Sequence, residues 1–242
     1  MNLVIDAGNT HVKLGVFVRG KLKHVQRVPR EDFTTIIKEV FGAYPGISHA
    51  ILASVGPLDE RIHEVVSVFC QVHLVSPDTR VPYKNAYATT QTLGADRMAL
   101  ATAAFYHEEK KNTLVIDAGS CITYDLVNDI GEYMGGAISP GLRMRYRALH
   151  TFTARLPLLE PKRPLALIGN ATESSIHSGV VNGLCMELDG MIDRYKSGFR
   201  DLTVILTGGD AQFLSERLKN TIFAHSNFLL EGLNQLLEYN KS

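Results

Sequence analysis

The sequence has no tryptophan, few cysteines and no excess of charge of either sign. Its three cysteines, Cys70, Cys121 and Cys185, are too few and too widely spaced for a disulfide framework or a CxxC metal site, and as free thiols they suit a reducing cytosol. Lysine and arginine together number 25, as do aspartate and glutamate, so no net field attracts nucleic acid or an anionic membrane. No apolar run is long enough to span a membrane, and no basic leader precedes Asp6. We therefore expect a cytoplasmic protein that binds neither nucleic acid nor a membrane.

Several common catalytic signatures are also missing. The chain contains no GxGxxG, no HExxH and no GxSxG, which argues against a dinucleotide-binding enzyme, a zinc protease and a serine hydrolase. Its nine histidines do not fall at metal-ligand spacings. The chain does have 242 residues, 45% of them hydrophobic, which is enough for a sizeable core in one large domain or two small ones.

The chain carries an internal repeat. The sequence LVIDAG occurs at Leu3–Gly8 and again at Leu114–Gly119, and an alternation of apolar and polar residues follows each copy. Each copy therefore predicts a strand, a polar turn and a second strand, with an acid and a glycine at the tip. An Asx-turn hairpin would explain one copy alone, but it does not explain two matching hairpins. We expect two similar α/β lobes, residues 1–110 and 111–242.

The remaining pattern alternates between helix and strand, which indicates an α/β fold with short connections. Helices are predicted over 33–41, 61–69, 171–194 and 228–239, and strands over 21–28, 47–54, 71–75 and 204–206. An alanine-rich helix should follow Gly94–Arg97, with Asp96 at or near its start. The leucines of the last helix suit an interface between subunits, although packing against the protein's own core is the commoner explanation.

The first turn has the composition of a phosphate-binding loop. Glycine lets an anion approach the backbone N–H groups of a tight turn, and Lys13 adds a positive charge. The side chains of Asn9 and Thr10 add hydrogen-bond donors, and Asp6 is placed to hold Mg²⁺ through water. The twin loop at Asp117 would supply the opposite jaw of a phosphate clamp.

Asp96 is the most suggestive acid outside the two loops. A helix N-terminus favours its ionised form, and such a carboxylate can orient an alcohol and accept its proton late in a reaction. Phosphoryl transfer through a loose transition state needs positioning and charge neutralisation more than it needs a strong base. From local sequence alone, a helix-capping Asp96 paired with Arg97 is an equally good interpretation.

Taken in order, these motifs resemble those of the type III pantothenate kinases, which belong with acetate kinase, the sugar kinases, the heat-shock ATPases and actin. The resemblance spans nearly the whole chain and rests on the order and spacing of five motifs: Asp6–Thr10 with Lys13, Gly94–Arg97, Asp117–Ser120 with Thr123, Gly131–Gly141, and Thr207–Asp210. It implies two ribonuclease-H-like lobes of the actin-like ATPase kind with a central cleft, and a homodimer. It also implies ATP-dependent phosphorylation of pantothenate to 4'-phosphopantothenate, the first step of coenzyme A biosynthesis.

The resemblance also assigns roles to individual residues. ATP, accompanied by Mg²⁺, would be held by Asp6, Ala7, Gly8, Asn9, Thr10, His11, Val12, Lys13 and, from the second lobe, Ser120. The glycine turn Thr207–Asp210 would lie on the adenosine side. Pantothenate would be bound by Tyr87, Gly94, Ala95, Asp96, Arg97 and Thr172, with Asp96 as the catalytic base for its primary hydroxyl. Asp117 would bind the monovalent cation, K⁺ or NH₄⁺, that the family uses.

One position departs from the family pattern, because Ser120 stands where threonine is common. Serine keeps the hydroxyl but is less restricted in rotamer, so the contact to ATP should survive with looser geometry. Two alternatives stay open: a kinase or phosphohydrolase of the same fold that acts on another small substrate, and a non-catalytic nucleotide-binding factor that assists transcription. The intact Asp6, Lys13, Asp96 and Asp117 argue against the second alternative, because a degenerate site would be expected to lose some of them.

Overall fold

The computed structural model describes residues 1–8, 11–54, 60–108 and 110–241. The chain forms two compact units: the first comprises Met1–His107 together with Asn227–Ser242, and the second comprises Glu108–Ser226. The division predicted at residue 110 differs from these units in one respect. The last helix, which the sequence pattern assigned to the second lobe, belongs to the first unit.

The secondary structure alternates between strands and helices, as the sequence predicted. The strands are β1 (Asn2–Ala7), β2 (His11–Val18), β3 (Lys21–Pro29), β4 (His49–Ser54), β5 (Gln71–Leu74), β6 (Lys84–Asn85), β7 (Thr113–Ala118), β8 (Cys121–Val127), β9 (Glu132–Pro140), β10 (Thr203–Thr207) and β11 (Phe223–Ala224). The helices are α1 (Phe33–Ala43), α2 (Glu60–Ser67), α3 (Ala95–His107), α4 (Leu142–Thr151), α5 (Thr172–His177), α6 (Gly183–Gly198), α7 (Ala211–Ser215) and α8 (Phe228–Asn240). A π-helical turn, Ser178–Asn182, joins α5 to α6.

The two units contain sheets of the same design. In the first unit the strand order is β3-β2-β1-β4-β5, and in the second it includes β9-β8-β7-β10-β11. In the first unit β1, β2 and β3 form an antiparallel meander, and β4 and β5 run parallel to β1. In the second unit β7, β8 and β9 form the same meander, and β10 and β11 run parallel to β7. The duplication predicted from the repeated LVIDAG hairpin therefore extends to five strands in each unit.

The core of the first unit explains why the last helix belongs to it. Leu3 and Ile5 on one face of β1 pack in a cluster with residues of α1 and α2. On the opposite face Asn2 Nδ2 donates a hydrogen bond to Asn234 Oδ1 of α8 at 2.7 Å. Four of the five leucines of α8, Leu230, Leu233, Leu236 and Leu237, are buried, and the helix contacts α3, β1 and β4 of this unit. The leucine stripe of the last helix is therefore explained by packing against the protein's own core.

A large buried cluster of the second unit lies on one face of its sheet. Ile116 on β7 and Ile122 on β8 share a buried cluster with Leu184 and Leu188 of α6. Alternate side chains of these strands form this cluster, and the side chains between them, such as Val115, are also fully buried, so both faces of these central strands are covered. Over the described ranges of the chain, no helix is both long enough and apolar enough to cross a membrane.

Candidate active site

The first hairpin places an acid and a lysine side by side. Asp6 on β1 pairs with Lys13 on β2, so both side chains lie on the same face of the sheet. Arg30 anchors the backbone at the tip: its Nε donates to the carbonyl oxygen of Gly8 at 2.7 Å, and its Nη2 lies 3.5 Å from that of Ala7. The sequence pattern did not single out Arg30, because this contact joins segments that are distant along the chain.

The rest of the predicted ATP-binding stretch is described in part. Asn9 and Thr10 lie outside the described residues. His11 begins β2, and its ring Nδ1 lies 3.5 Å from Nη2 of Arg27. The side chain of Val12 is fully buried in the core of the first unit, so only the backbone of this residue is available to a nucleotide.

The electrostatics of Asp6 favour a bound cation. Burial and, second, the negative charge of Asp96 raise the pKa of Asp6 from its ordinary 3.8 to about 6, while the charge of Lys13 opposes the rise. A cation beside these two carboxylates would relieve the repulsion between them. The structure therefore brings together Asp6 and Lys13, which are predicted to bind ATP, and Asp96, which is predicted to be the catalytic base.

Asp96 lies in the first turn of α3, as the sequence predicted. Its Oδ1 accepts a hydrogen bond from the backbone N–H of Arg97 at 2.8 Å, and the residue is half-buried. The carbonyl oxygen of Gly94 accepts a hydrogen bond from the backbone N–H of Met98 at 3.0 Å, which begins the helical ladder. The backbone of the helix thus orients the carboxylate.

Two residues predicted to bind pantothenate contact each other. The Arg97 guanidinium lies over the ring of Tyr87, 5.4 Å from its centroid, and Arg97 Nη1 is 3.5 Å from the Tyr87 hydroxyl. The backbone N–H of Tyr87 donates to Oδ1 of Asn85 at 3.0 Å. Because Arg97 is only 5% exposed, it is a buried cation held against an aromatic face rather than a solvated surface charge.

The second hairpin places Asp117 against a glycine turn. Asp117 on β7 pairs with Thr123 on β8, and the turn after β10 docks on the same strand end, where the Asp210 N–H donates to the carbonyl oxygen of Ala118 at 2.9 Å. Gly208 has a φ of 96°, and a Cβ at this position would collide with the Asp117 carboxylate and the Ala118 backbone. Glycine alone suits this position. Two motifs that are separate in the sequence therefore form one structural feature.

Asp210 in the same turn was not predicted as a site residue. Burial raises the pKa of its carboxyl, and the positive charge of Arg143 opposes that rise. The sequence feature that could have indicated Asp210 is its position at the end of the glycine turn Thr207–Asp210.

Ser120 and Thr172 are the remaining predicted positions in the second unit. Ser120 lies in the tight turn between β7 and β8, where the Gly119 N–H donates to the carbonyl oxygen of Cys121 at 3.0 Å, and it is exposed. Thr172 is the first residue of α5 and is also exposed. Both residues are therefore accessible to a ligand.

The donor chemistry fits a magnesium ion that is shared with a nucleotide. Across the described ranges, no group of three or more histidine, cysteine, aspartate or glutamate side chains could hold a metal ion. Mg²⁺ in nucleotide enzymes keeps several waters and uses one or two carboxylates together with substrate phosphates. The Asp6 carboxylate, close to a second carboxylate, provides oxygen ligands of that kind.

A family model and full-length relatives of this chain carry the same family name. The family model described as type III pantothenate kinase matches residues 2–194. The type III pantothenate kinase of Christiangramia forsetii is 51% identical over 242 residues and covers 100% of both chains. That of Flavobacterium johnsoniae is 47% identical over 239 residues, which are 99% of this chain and 98% of the relative.

Solved structures agree on the fold. A Baf family protein from Campylobacter jejuni superposes with a TM-score of 0.66 at 20% identity, covering 98% of each chain. A ROK family glucokinase from Streptomyces griseus superposes with a TM-score of 0.52 at 10% identity, covering 97% of this chain and 98% of the glucokinase. The fold is therefore that of the actin-like ATPases and sugar kinases, as predicted. Because the family model spans most of the chain and full-length relatives share about half of its residues, this chain belongs to the type III pantothenate kinase family.

Proposed function

We propose that this protein transfers the γ-phosphoryl group of ATP to the primary hydroxyl of pantothenate, forming 4'-phosphopantothenate in the first step of coenzyme A biosynthesis. Full-length relatives that carry the name of this activity support the choice of substrate. The structural observation that carries the proposal is the position of Asp96, whose charge acts directly on Asp6 in the predicted phosphate loop. The proposed base and the proposed phosphate-binding loop belong to the same unit, which supports the proposal.

The first hairpin is the phosphate-binding element of this proposal. Lys13 supplies a positive charge for the phosphates, and Arg30 holds the backbone carbonyl oxygen of Gly8, where the predicted phosphate loop begins. Asp6 is the residue that would hold Mg²⁺, alone or through water. When bound, this ion neutralises the negative charge of the phosphates.

Asp96 is the proposed base. The Arg97 N–H holds one of its oxygens, and the residue stays partly exposed, so the carboxylate can accept a hydrogen bond from the substrate hydroxyl. In the proposed step the hydroxyl oxygen attacks the γ-phosphorus in line and the bond to the β,γ-bridging oxygen breaks. The hydroxyl proton passes to Asp96, and ADP leaves. A loose transition state asks of Asp96 orientation more than strong basicity.

Binding of pantothenate is assigned to Tyr87, the Gly94–Arg97 segment and Thr172. Stacking of Arg97 on Tyr87 supports this assignment, because it fixes a cation and an aromatic ring beside the proposed base. The exposed position of Thr172 at the start of α5 supports a role for its hydroxyl as a hydrogen-bonding group.

Asp117 is the proposed site of the monovalent cation, and Ser120 is the proposed contact of the second unit with ATP. The close approach of Gly208 to the Asp117 carboxylate supports a built site, since a side chain there would occupy the space beside this oxygen. Stimulation of the reaction by K⁺ or NH₄⁺ is part of the proposal.

We also infer a cytoplasmic homodimer. The three cysteines are free, which suits a reducing compartment. The segment between α4 and α5 exposes large apolar side chains, with Phe152 at 84%, Leu165 at 104% and Ile168 at 84%. Exposed apolar residues this close along the chain are typical of a subunit interface.

A coupled ADP-release assay tests the proposed function. Purified protein receives ATP and Mg²⁺ with and without pantothenate, in potassium buffer and again in sodium buffer. We expect ADP release that depends on pantothenate and is faster in potassium. Release that does not depend on pantothenate would indicate another acceptor or hydrolysis, and no release with nucleotide still bound would indicate a non-catalytic role.

A further inference from the structure

The helix that carries Thr172 contains an irregularity that the sequence pattern does not predict. A single helix is predicted over 171–194, but the structure has α5, the π-helical turn Ser178–Asn182 and α6. A π-helical turn inserts an extra residue and redirects the side chains on it, and such turns are frequent at functional sites. The side chains of this π-helical turn therefore point in directions that a regular α-helix would not give them.

The Ser178 hydroxyl reaches outside its own helix. A serine inside a helix commonly donates to the carbonyl oxygen one turn earlier. Ser178 Oγ instead donates to the backbone carbonyl oxygen of Leu167, eleven residues earlier in the chain. Ser178 is only 6% exposed and Leu167 is 67% exposed, so the hydrogen bond runs from a buried donor to the protein surface and is part-buried. It attaches the irregular segment before α5 to the π-helical turn.

Two further side chains extend this hydrogen bond into a chain. Asn182 Nδ2 donates to Ser178 Oγ at 3.1 Å, and Arg217 Nη2 donates to Asn182 Oδ1 at 3.0 Å. Both ends of the Asn182 amide are therefore used, which fixes its orientation. The hydrogen bonds thus run in series from Arg217 to Asn182, from Asn182 to Ser178, and from Ser178 to the carbonyl oxygen of Leu167.

Other contacts attach the same segment to α5. Ser174 Oγ accepts hydrogen bonds from the backbone N–H groups of Asn170 at 3.1 Å and Ala171 at 3.0 Å. Gly169 lies so close to the helix that an added Cβ would collide with the backbone of Ser175. Residues 167–171 are thus held along the helix, and Thr172 follows directly.

We propose that Ser178 is a positioning residue for Thr172, and that the π-helical turn exists to aim its hydroxyl at the Leu167 carbonyl. The inference rests on the proposed function, because it assigns Thr172 to pantothenate binding. Residues 152–171 contain no helix or strand, so their position depends on contacts of this kind. Loss of the Ser178 hydroxyl loosens the segment that leads into Thr172, and this weakens pantothenate binding while ATP binding is unchanged.

Steady-state kinetics of Ser178→Ala test the proposal. We expect the KM for pantothenate to rise by up to about tenfold, the loss expected for one part-buried hydrogen bond, with the KM for ATP and kcat unchanged. Ser197→Ala is the matched control, because its hydroxyl bonds to the Arg194 carbonyl oxygen within α6 and is exposed. Equal changes in the KM values of both substrates would overturn the inference.

A double-mutant cycle separates positioning from a general loss of stability. If Ser178 acts through Thr172, then Ser178→Ala adds little to the rise in pantothenate KM already caused by Thr172→Ala. Independent, additive effects would overturn the inference. Ser178→Thr, which keeps a hydroxyl, should restore most of the pantothenate affinity.

Hydrogen exchange supplies a readout that does not depend on activity. Without ligands, Ser178→Ala should speed exchange of the amides of residues 167–172, whereas Ser197→Ala should not. Wild-type protein that does not phosphorylate pantothenate would refute the proposed function and the role of Ser178 with it. Active wild-type protein with unchanged exchange and kinetics in Ser178→Ala would refute the role of Ser178 alone.

Discussion

At the residue scale, two carboxylates in the first unit have different tasks. Asp96 is oriented by the backbone of α3, while Asp6 sits where its own charge is penalised by burial and by Asp96. Because the ionised form of Asp6 is disfavoured in the empty protein, a bound cation would stabilise this carboxylate strongly. Asp96, whose carboxylate is held in place by a backbone N–H, suits the role of a base in a fixed position. The contrast between them supports the division of roles that we propose.

Replacement of the proposed base should affect turnover rather than nucleotide binding. In Asp96→Asn we expect kcat to fall by roughly 10²- to 10⁴-fold, the range for loss of a general base, with the KM for ATP changed by no more than about twofold. Steady-state kinetics measure both values. Asp78→Asn, at an exposed acid in the same unit, is the control. Wild-type turnover in Asp96→Asn would show that the base is another residue.

Replacement of Asp6 should abolish activity and yet stabilise the empty protein. Because the folded-state pKa of Asp6 is raised to about 6, the folded protein retains a proton that the unfolded chain loses near pH 4, and stability falls as pH rises through this window. Asp6→Asn removes the penalty, which amounts to at most roughly 3 kcal/mol. In denaturant unfolding without Mg²⁺ or ATP, Asp6→Asn should have a higher unfolding free energy than the wild type at about pH 8, and this difference should shrink towards pH 4. A loss of stability at pH 8 would contradict the electrostatic account.

At the element scale, local periodicity predicted most of the strands and helices. The β1–β2 and β7–β8 hairpins, α3 with Asp96 in its first turn, and the long stretch from Thr172 all follow from alternation, helix propensity and N-terminal signals. Contacts between distant segments could not be predicted in this way. The Arg30 anchor and the approach of Gly208 to Asp117 each join elements whose proximity arises only when the sheet is assembled.

The docking of the glycine turn on Asp117 leads to a matched pair of variants. Gly208→Ala forces a side chain into left-handed backbone and into the Asp117 carboxylate, so we expect a loss of about 1–3 kcal/mol in unfolding free energy and reduced stimulation by potassium. Gly209→Ala is the control, since no atom lies within 4 Å of the added Cβ. Unfolding curves and the ratio of rates in potassium and sodium provide the measurement. If the two variants had the same unfolding free energy and the same ratio of rates in potassium and sodium, the close contact of Gly208 with Asp117 would affect neither stability nor the response to potassium.

At the scale of the whole molecule, the duplicated sheet is the feature that the sequence predicts best. Six identical residues at the start of each half were enough to indicate two similar lobes. Two matching hairpins at corresponding positions predict that the strands around them also match, and the two sheets share this strand order. The place of the last helix could not be obtained from the same pattern. An amphipathic stripe shows that a helix buries one face, but it does not show which sheet that face covers.

The exposed apolar segment between α4 and α5 predicts the assembly state. If it forms the dimer interface, Leu165→Glu with Ile168→Glu should convert the dimer to a monomer, because two buried charges without partners cannot be accommodated. Size-exclusion chromatography with light scattering measures the mass. Val68→Glu, at an apolar residue of the first unit that is 80% exposed, is the control and should leave the dimer intact. A wild-type monomer would refute the proposed dimer.

The most direct test of the central claim is the identity of the product. Wild-type protein is incubated with ATP, Mg²⁺, K⁺ and pantothenate, and the small molecules are analysed by mass spectrometry. We expect pantothenate to gain one phosphoryl group while an equal amount of ATP becomes ADP, and we expect Asp96→Asn to form little of this product. Conversion of ATP to ADP with pantothenate recovered unmodified would contradict the proposed function.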